Sequence, residues 1–238
     1  MLLLTNDDGF DADGIRALER AASRWRSSVI TVAPVEPHSG CGHRVTVDRP
    51  LVIEQVEENH YRVNGTPADC VRMAFATLDL GQPDWVLSGI NAGGNLGVDI
   101  HHSGTVAAAR EAALHGWPAM ALSQYHRRGQ PIDWDIAASW AEAVFAAVGD
   151  FDPLKNGEFF NINFRTSNIH ELTSLRLLCA ATLIHRRCRC TLLKRIMAGC
   201  IGVNIRIALD CQTVMLMSVS EVRSRFRVHE LFDLLVSS

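Results

Sequence analysis

Leu2-Leu3-Leu4-Thr5-Asn6-Asp7-Asp8-Gly9 is an apolar run of strand length that ends abruptly in two adjacent carboxylates and a glycine. A run without polar alternation predicts a strand buried on both faces, and so a parallel sheet covered by helices. Two neighbouring carboxylates repel, and are tolerated where a cation sits between them or where water solvates both. A solvated Asp-Asp-Gly turn after an edge strand is the competing reading of these eight residues alone.

The next segments extend the buried-strand reading. Asp11 or Asp13 is placed to cap a helix in which Ile15, Leu18, Ala22 and Trp25 recur at helical spacing. Val29-Ile30-Thr31-Val32-Ala33-Pro34 is a second buried strand, followed by a loop of polar and small residues, Glu36 to Gly42. A right-handed crossover sets these two strands side by side with their carboxyl ends on one rim, where open α/β sheets bind ligands, so Ser39 can meet Asp7 and Asp8. Residues 44–63 alternate and predict antiparallel strands at the sheet edge. Thr66-Pro67-Ala68-Asp69 predicts a helix start, in which Asp69 is either the acid of a capping box or a catalytic acid, and the spacing already accounts for the first.

Asp84 to Asn91 reads as a third strand, running into Ala92-Gly93-Gly94-Asn95-Leu96-Gly97. These glycines do not form Gly-x-Gly-x-x-Gly between strand and helix, so a dinucleotide fingerprint, and with it an NAD(P)-dependent oxidoreductase, is weakly supported. Ser103-Gly104-Thr105 opens an alanine-rich helix, Val106 to His115. Hydroxyls and unpaired N–H groups at the positive end of a helix dipole seat a phosphate; alternatively Ser103 or Thr105 only caps the helix. Pro118 to Ser123 is a fourth strand, Asp133 to Val148 a long helix, and Phe159 to Phe164 a fifth strand.

Composition limits the classes available. With 238 residues, 47% hydrophobic and 21% charged, the chain can bury one sizeable core. No basic n-region precedes the first apolar run and no stretch reaches about 18 uninterrupted apolar residues, so a cytoplasmic protein without membrane contact is expected. A net charge of −3 gives no reason to expect nucleic acid as a partner. Seven irregularly spaced cysteines suit free thiols rather than a disulfide framework.

Five motifs, taken in order, carry a family resemblance: Thr5-Asn6-Asp7-Asp8-Gly9, Ser39-Gly40-Cys41-Gly42, Gly65-Thr66-Pro67-Ala68-Asp69-Cys70, Ser88-Gly89-Ile90-Asn91-Ala92-Gly93-Gly94-Asn95-Leu96-Gly97 and Ser103-Gly104-Thr105-Val106-Ala107-Ala108-Ala109. Together they resemble the SurE family of 5′-nucleotidases over residues 1–164. The resemblance implies a Rossmann-like three-layer αβα core with a mostly parallel sheet, hydrolysis of nucleoside 5′-monophosphates, and one divalent cation held by Asp7, Asp8, Ser39 and Asn91. The family usually carries an aromatic residue before its Ser-Gly-Thr, where His102 stands here.

The donor chemistry points the same way. Two carboxylates, a hydroxyl and an amide oxygen form a hard, all-oxygen set suited to Mg²⁺ or Mn²⁺. Hydrolysing a phosphate monoester demands a barrier reduction of about 20 kcal/mol or more, from charge neutralisation and positioning. Asp7 or Asp8 is expected to hold the cation and to act as base or nucleophile, with Asn95, Ser103, Gly104 and Thr105 gripping the phosphate. Loss of turnover with retained metal or nucleotide binding is the alternative expectation.

Residues 165–238 break the pattern. They contain no proline, two glycines, and 11 Lys and Arg against 5 Asp and Glu, whereas residues 1–164 hold 12 against 21. The family's further strand, projecting hairpin and terminal strand are not visible in them. Reading Val214 to Val222 one base earlier is compatible with Asp-Val-Asp-Val-Cys-Phe-Gly-Gly, because every Met codon ends in G, so we expect this basic, Cys-rich tail to be translated out of frame. Cys188, Cys190 and His185 as zinc ligands, and His185 to Cys190 as a nucleic-acid contact, are the lesser readings. A family-like homodimer or tetramer is expected to be disturbed by such a tail.

Overall fold

In the computed structural model, residues 1–126, 129–148 and 157–164 are described, together with the backbone of 179–183, 205–210 and 213–217. The apolar runs become parallel strands: β1 (Leu2–Thr5), β2 (Val29–Pro34), β5 (Trp85–Ala92), β6 (Ala119–Gln124) and β7 (Phe160–Phe164). Between them lie β3 (Ile53–Glu57) and β4 (His60–Val63). The helices are α1 (Asp13–Trp25), α2 (Pro67–Thr77), the short α3 (Asp99–His102), α4 (Gly104–Leu114) and α5 (Trp134–Val148). One eight-stranded sheet has the order β3-β4-β2-β1-β5-β6-β7-β8, where β8 is Cys179–Leu183. Its pairings are parallel except β3 with β4 and β7 with β8.

The alternation of β1 divides the core into two layers. Leu2 and Leu4 pack in one cluster with Leu18, Leu87, Trp140 and Phe145, under α1 and α5. Leu3 enters the opposite cluster with Val71, Val86, Val106 and Ala109, under α2 and α4. All three leucines have no exposed surface, as a strand covered by helices on both faces requires. The three-layer αβα reading is therefore the observed architecture. Close approach of layers depends on glycine: a Cβ on Gly14 of α1 would lie 2.0 Å from the carbonyl oxygen of Ile90 in β5.

The structure corrects some expectations. Neither Asp11 nor Asp13 caps α1; Ala12 holds the N-cap without a side-chain bond, and Asp13 sits in the first turn, where its charge suits the helix dipole. Residues 44–52 form no strand, because the amide of Thr46 is bonded to the carboxylate of Asp69 at 3.0 Å rather than to a neighbouring strand. Asp69 accepts from the amide of Thr66 at 2.9 Å while Thr66 Oγ1 accepts from the amide of Asp69, so its capping role is met in full. The tail contributes strands that the sequence did not reveal: β8 on the sheet edge, and β9 (Ile205–Asp210) antiparallel to β10 (Thr213–Met217). His185, Cys188 and Cys190 lie outside the described residues. Among the described residues no helix is long and apolar enough to cross a membrane.

Candidate active site

The chain leaves β1 in one direction along the sheet, toward β2, and returns through α2 to β5 on the other side of β1. That reversal opens a crevice at the carboxyl ends of β1 and β5, where doubly wound sheets bind ligands. Asp7 and Asp8 sit there. Three segments are tied to them by single hydrogen bonds: the loop after β2, the end of β5 and the start of α4. The amide of His38, next to Ser39, donates to the carbonyl oxygen of Asp7 at 2.7 Å. Ala92, next to Asn91, donates its amide to Asp8 Oδ2 at 3.1 Å. Thr105 in the first turn of α4 donates its hydroxyl to Asp7 Oδ1 at 2.5 Å.

Local sequence explains why these segments converge. The β5–β6 pairing slips between Ser88 and Asn91, and at this irregularity Gly89 has φ +137° and leaves no space for a side chain, since a Cβ would approach the carbonyl oxygen of Leu122 to 2.2 Å. The slip re-aims the end of β5 toward Asp8. Asn91 donates its side-chain amide to the Gly93 carbonyl at 2.8 Å, a bond that does not use Oδ1, the atom able to face a cation. Gly104 lets α4 press onto Asp7: a Cβ there would lie 2.8 Å from Asp7 Cβ and 3.0 Å from Cys41 Sγ.

Burial governs the charges. Asp7, 4% exposed, is pushed up to about 6, chiefly by desolvation and further by the charge of Asp8, against the opposing hydrogen bonds from Thr105. Burial also raises Asp8, opposed by the amide of Ala92. Cys41 is pushed up to about 11 by burial and by the charge of Asp7, which makes it an inert thiol at neutral pH.

The residues present fit a small hard dication. Among the described residues no ion pair is made by either carboxyl, so a buried Asp7 and a half-buried Asp8 stand side by side without a basic side chain against them. Among the described residues no group of three or more His, Cys, Asp or Glu is placed to hold a metal. Neutral oxygens complement such a carboxylate pair, and Asn91 Oδ1 and the hydroxyl of Ser39, exposed on the adjoining loop, are of that type.

On the phosphate side the expected residues divide. Ser103 Oγ accepts from the amide of Val106 at 3.1 Å and so caps α4, keeping its hydroxyl proton to donate. Thr105 is committed to Asp7. Gly104, at the first helical position, has an amide with no intrahelical partner. Asn95, 6% exposed, donates its side-chain amide to Ser123 Oγ at 2.8 Å and is surrounded by Asn161 and Asn163 of β7. These last three were not anticipated; the available signal was polar residues alternating inside an otherwise apolar strand. His43 was missed too. It bonds Glu111 Oε2 of α4 at 2.6 Å and anchors the chain just beyond Ser39.

A covered, mostly parallel sheet with an acidic crevice at its switch point, closed on one side by a helix N-terminus, makes this a Rossmann-like α/β protein. Comparison with known proteins then specifies the family. The chain belongs to the SurE family: the model described as Survival protein SurE matches residues 2–187, past the Phe164 boundary of the resemblance read from sequence. A protein of Nostoc sp. (strain PCC 7120) is 48% identical over 162 residues, covering 68% of this chain and 70% of that one. The 5′-nucleotidase SurE of Allorhizobium ampelinum is 47% identical over 165 residues, 68% of this chain and 64% of that protein. Among solved structures, SurE protein from Aquifex aeolicus is similar with a TM-score of 0.65 and 37% identity, covering 72% of this chain and 68% of that one.

Proposed function

We propose that this chain is a metal-dependent phosphomonoesterase that hydrolyses nucleoside 5′-monophosphates to nucleoside and phosphate, acting in the cytoplasm. The observation that carries the reading is the contact between Thr105 and Asp7, which joins the buried member of a carboxylate pair to the positive end of α4. The relatives named 5′-nucleotidase SurE support the same substrate class. Asp7, Asp8, Ser39 and Asn91 would hold one Mg²⁺ or Mn²⁺, which when bound supplies Lewis-acid polarisation of a phosphoryl oxygen and acidification of water.

The remaining work falls to this chain's own groups. The Gly104 amide and the Ser103 hydroxyl offer donors to phosphoryl oxygens, and the dipole of α4 favours the negative charge there. Asn95, held by Ser123, Asn161 and Asn163, would orient the phosphate. Thr105 ties up one oxygen of Asp7, Oδ1, and so restrains the carboxyl group while leaving Oδ2 outside that bond. Either Asp7 or Asp8 serves as base or nucleophile, and acid-quench trapping of a phosphorylated aspartate separates the two.

The test is phosphate release from AMP or GMP with Mn²⁺. Wild-type protein should turn over substrate and lose activity with EDTA, and Asp8→Asn should retain less than about 1% of it, a loss of about 3 kcal/mol or more. Activity that is indifferent to EDTA and to Asp8→Asn would exclude the reading.

A further inference from the structure

We infer that Asn161 and Asn163 of β7 are positioning residues that build the phosphate side of the site by clamping Asn95; the inference rests on the reading of Asn95 as a phosphate ligand. Three side chains from two strands converge on this one loop residue. Asn163 Oδ1 accepts from the Asn95 amide at 2.7 Å, while Asn163 Nδ2 donates to the Asn95 carbonyl oxygen at 3.2 Å. Asn161 Nδ2 donates to the same carbonyl oxygen at 2.9 Å. Ser123 on β6 fixes the side chain by accepting from Asn95 Nδ2 at 2.8 Å.

These contacts oppose what the strand would otherwise select. Asn161 and Asn163 are 1% and 2% exposed, on a strand flanked by β6 and β8, where asparagine is disfavoured and Val or Ile would pack better. Asn161 Oδ1 is buried without a hydrogen-bond partner among the described residues, an added cost. Phe160, Ile162 and Phe164, on the opposite side of the same strand, are ordinary core residues. A strand that keeps two buried amides on one face, both directed at the same backbone unit, departs from its local rule for a purpose outside the sheet. The clamp takes both backbone polar groups of Asn95, so the loop 92–97 cannot rotate that residue without breaking bonds to β7. It makes no bond to Asp7, Asp8, Ser39 or Asn91, so the metal side of the site should be independent of it.

The experiment measures two affinities on the full chain by calorimetry, Mn²⁺ alone and inorganic phosphate in the presence of saturating Mn²⁺, with the thermal midpoint of each variant recorded. Asn163→Leu keeps the branched shape of the side chain at somewhat greater volume and suits the strand, and Asn163→Ala is the smaller companion variant, so an effect of overpacking is told apart from loss of the clamp. Asn163→Leu and Asn161→Leu are expected to weaken phosphate about tenfold while leaving Mn²⁺ within about twofold. The double variant Asn95→Ala with Asn163→Leu should bind phosphate no more weakly than Asn95→Ala alone, because both changes remove one function. Phosphate affinity unchanged in Asn163→Leu but lost in Asn95→Ala would overturn the clamp and keep the phosphate reading. Unchanged affinity in Asn95→Ala would overturn the phosphate reading and the clamp with it. Equal loss of Mn²⁺ and phosphate with a lowered midpoint would reduce both asparagines to fold residues and overturn the proposal.

Discussion

Asp7 concentrates the conflict between folding and function into one side chain. Its folded value of about 6 lies above the ordinary 3.8, so between these two values the folded chain holds a proton that the unfolded chain has released. Stability should therefore fall as pH rises through that window and level off above it, with a total of about 3 kcal/mol at stake. In EDTA, the thermal midpoint of wild-type protein should drop relative to Asp7→Asn as pH climbs from about 4 to 7, and saturating Mn²⁺ should close that gap for wild type alone. Parallel pH profiles for the two proteins would mean that Asp7 is not the group responsible. Gly104 makes a second test at this scale. A methyl there meets Asp7 Cβ at 2.8 Å and must push α4 and the carboxylate apart, so Gly104→Ala should cost at least about tenfold in kcat/KM.

At the scale of elements, the start of α2 does more than begin a helix. Asp69 accepts from Thr66 and from both the amide and the hydroxyl of Thr46, the hydroxyl at 2.6 Å, while Thr66 Oγ1 donates to the Arg44 carbonyl at 2.6 Å. The cap thus pins residues 44–46 beside the helix. Burial alone would raise Asp69, but the bonds from Thr46 and Thr66 outweigh it and hold the carboxyl below its ordinary value, so this contribution is present above pH 3.8 and lost as pH falls below it. Asp69→Ala should destabilise the protein by about 2–3 kcal/mol in urea titration at pH 7 while leaving Mn²⁺ affinity unchanged; a selective loss of turnover at unaltered stability would restore the catalytic reading. The same cap shows where sequence is informative. The helix start and the buried strands were readable because capping spacing and apolar runs are local. The failure of 44–52 to form a strand was not, since it depends on Asp69, 23 residues from Thr46. Asp7, Asp8 and the Ser-Gly-Thr entry stood out as adjacent polar residues at element ends. Asn161 and Asn163 alternate visibly within an apolar strand, but their partner lies 66 and 68 residues away, so the alternation alone does not connect them to the site.

At the scale of the whole molecule, the question is how far the selected chain extends. β7 closes its edge by pairing antiparallel with β8, and the family match reaches residue 187, so both belong to the matched region. Beyond it the composition remains that of a chain without turn residues: no proline follows Pro153, and two glycines serve residues 165–238. A tail read in the wrong frame carries side chains never selected to cover the sheet or to meet a second copy, and its excess of Arg sets it apart from the acidic core. The coding DNA, read one base earlier from the codons of Val214 to Val222, should then encode Asp-Val-Asp-Val-Cys-Phe-Gly-Gly without intervening stops. Expressed in the restored frame, the protein should gain at least about 5 °C in thermal midpoint and form a dimer or tetramer by light scattering, while the chain with its present tail should not. Early stop codons in the shifted frame, or a sharp transition and a discrete oligomer from the present chain, would show instead that residues 165–238 are native sequence with their own packing.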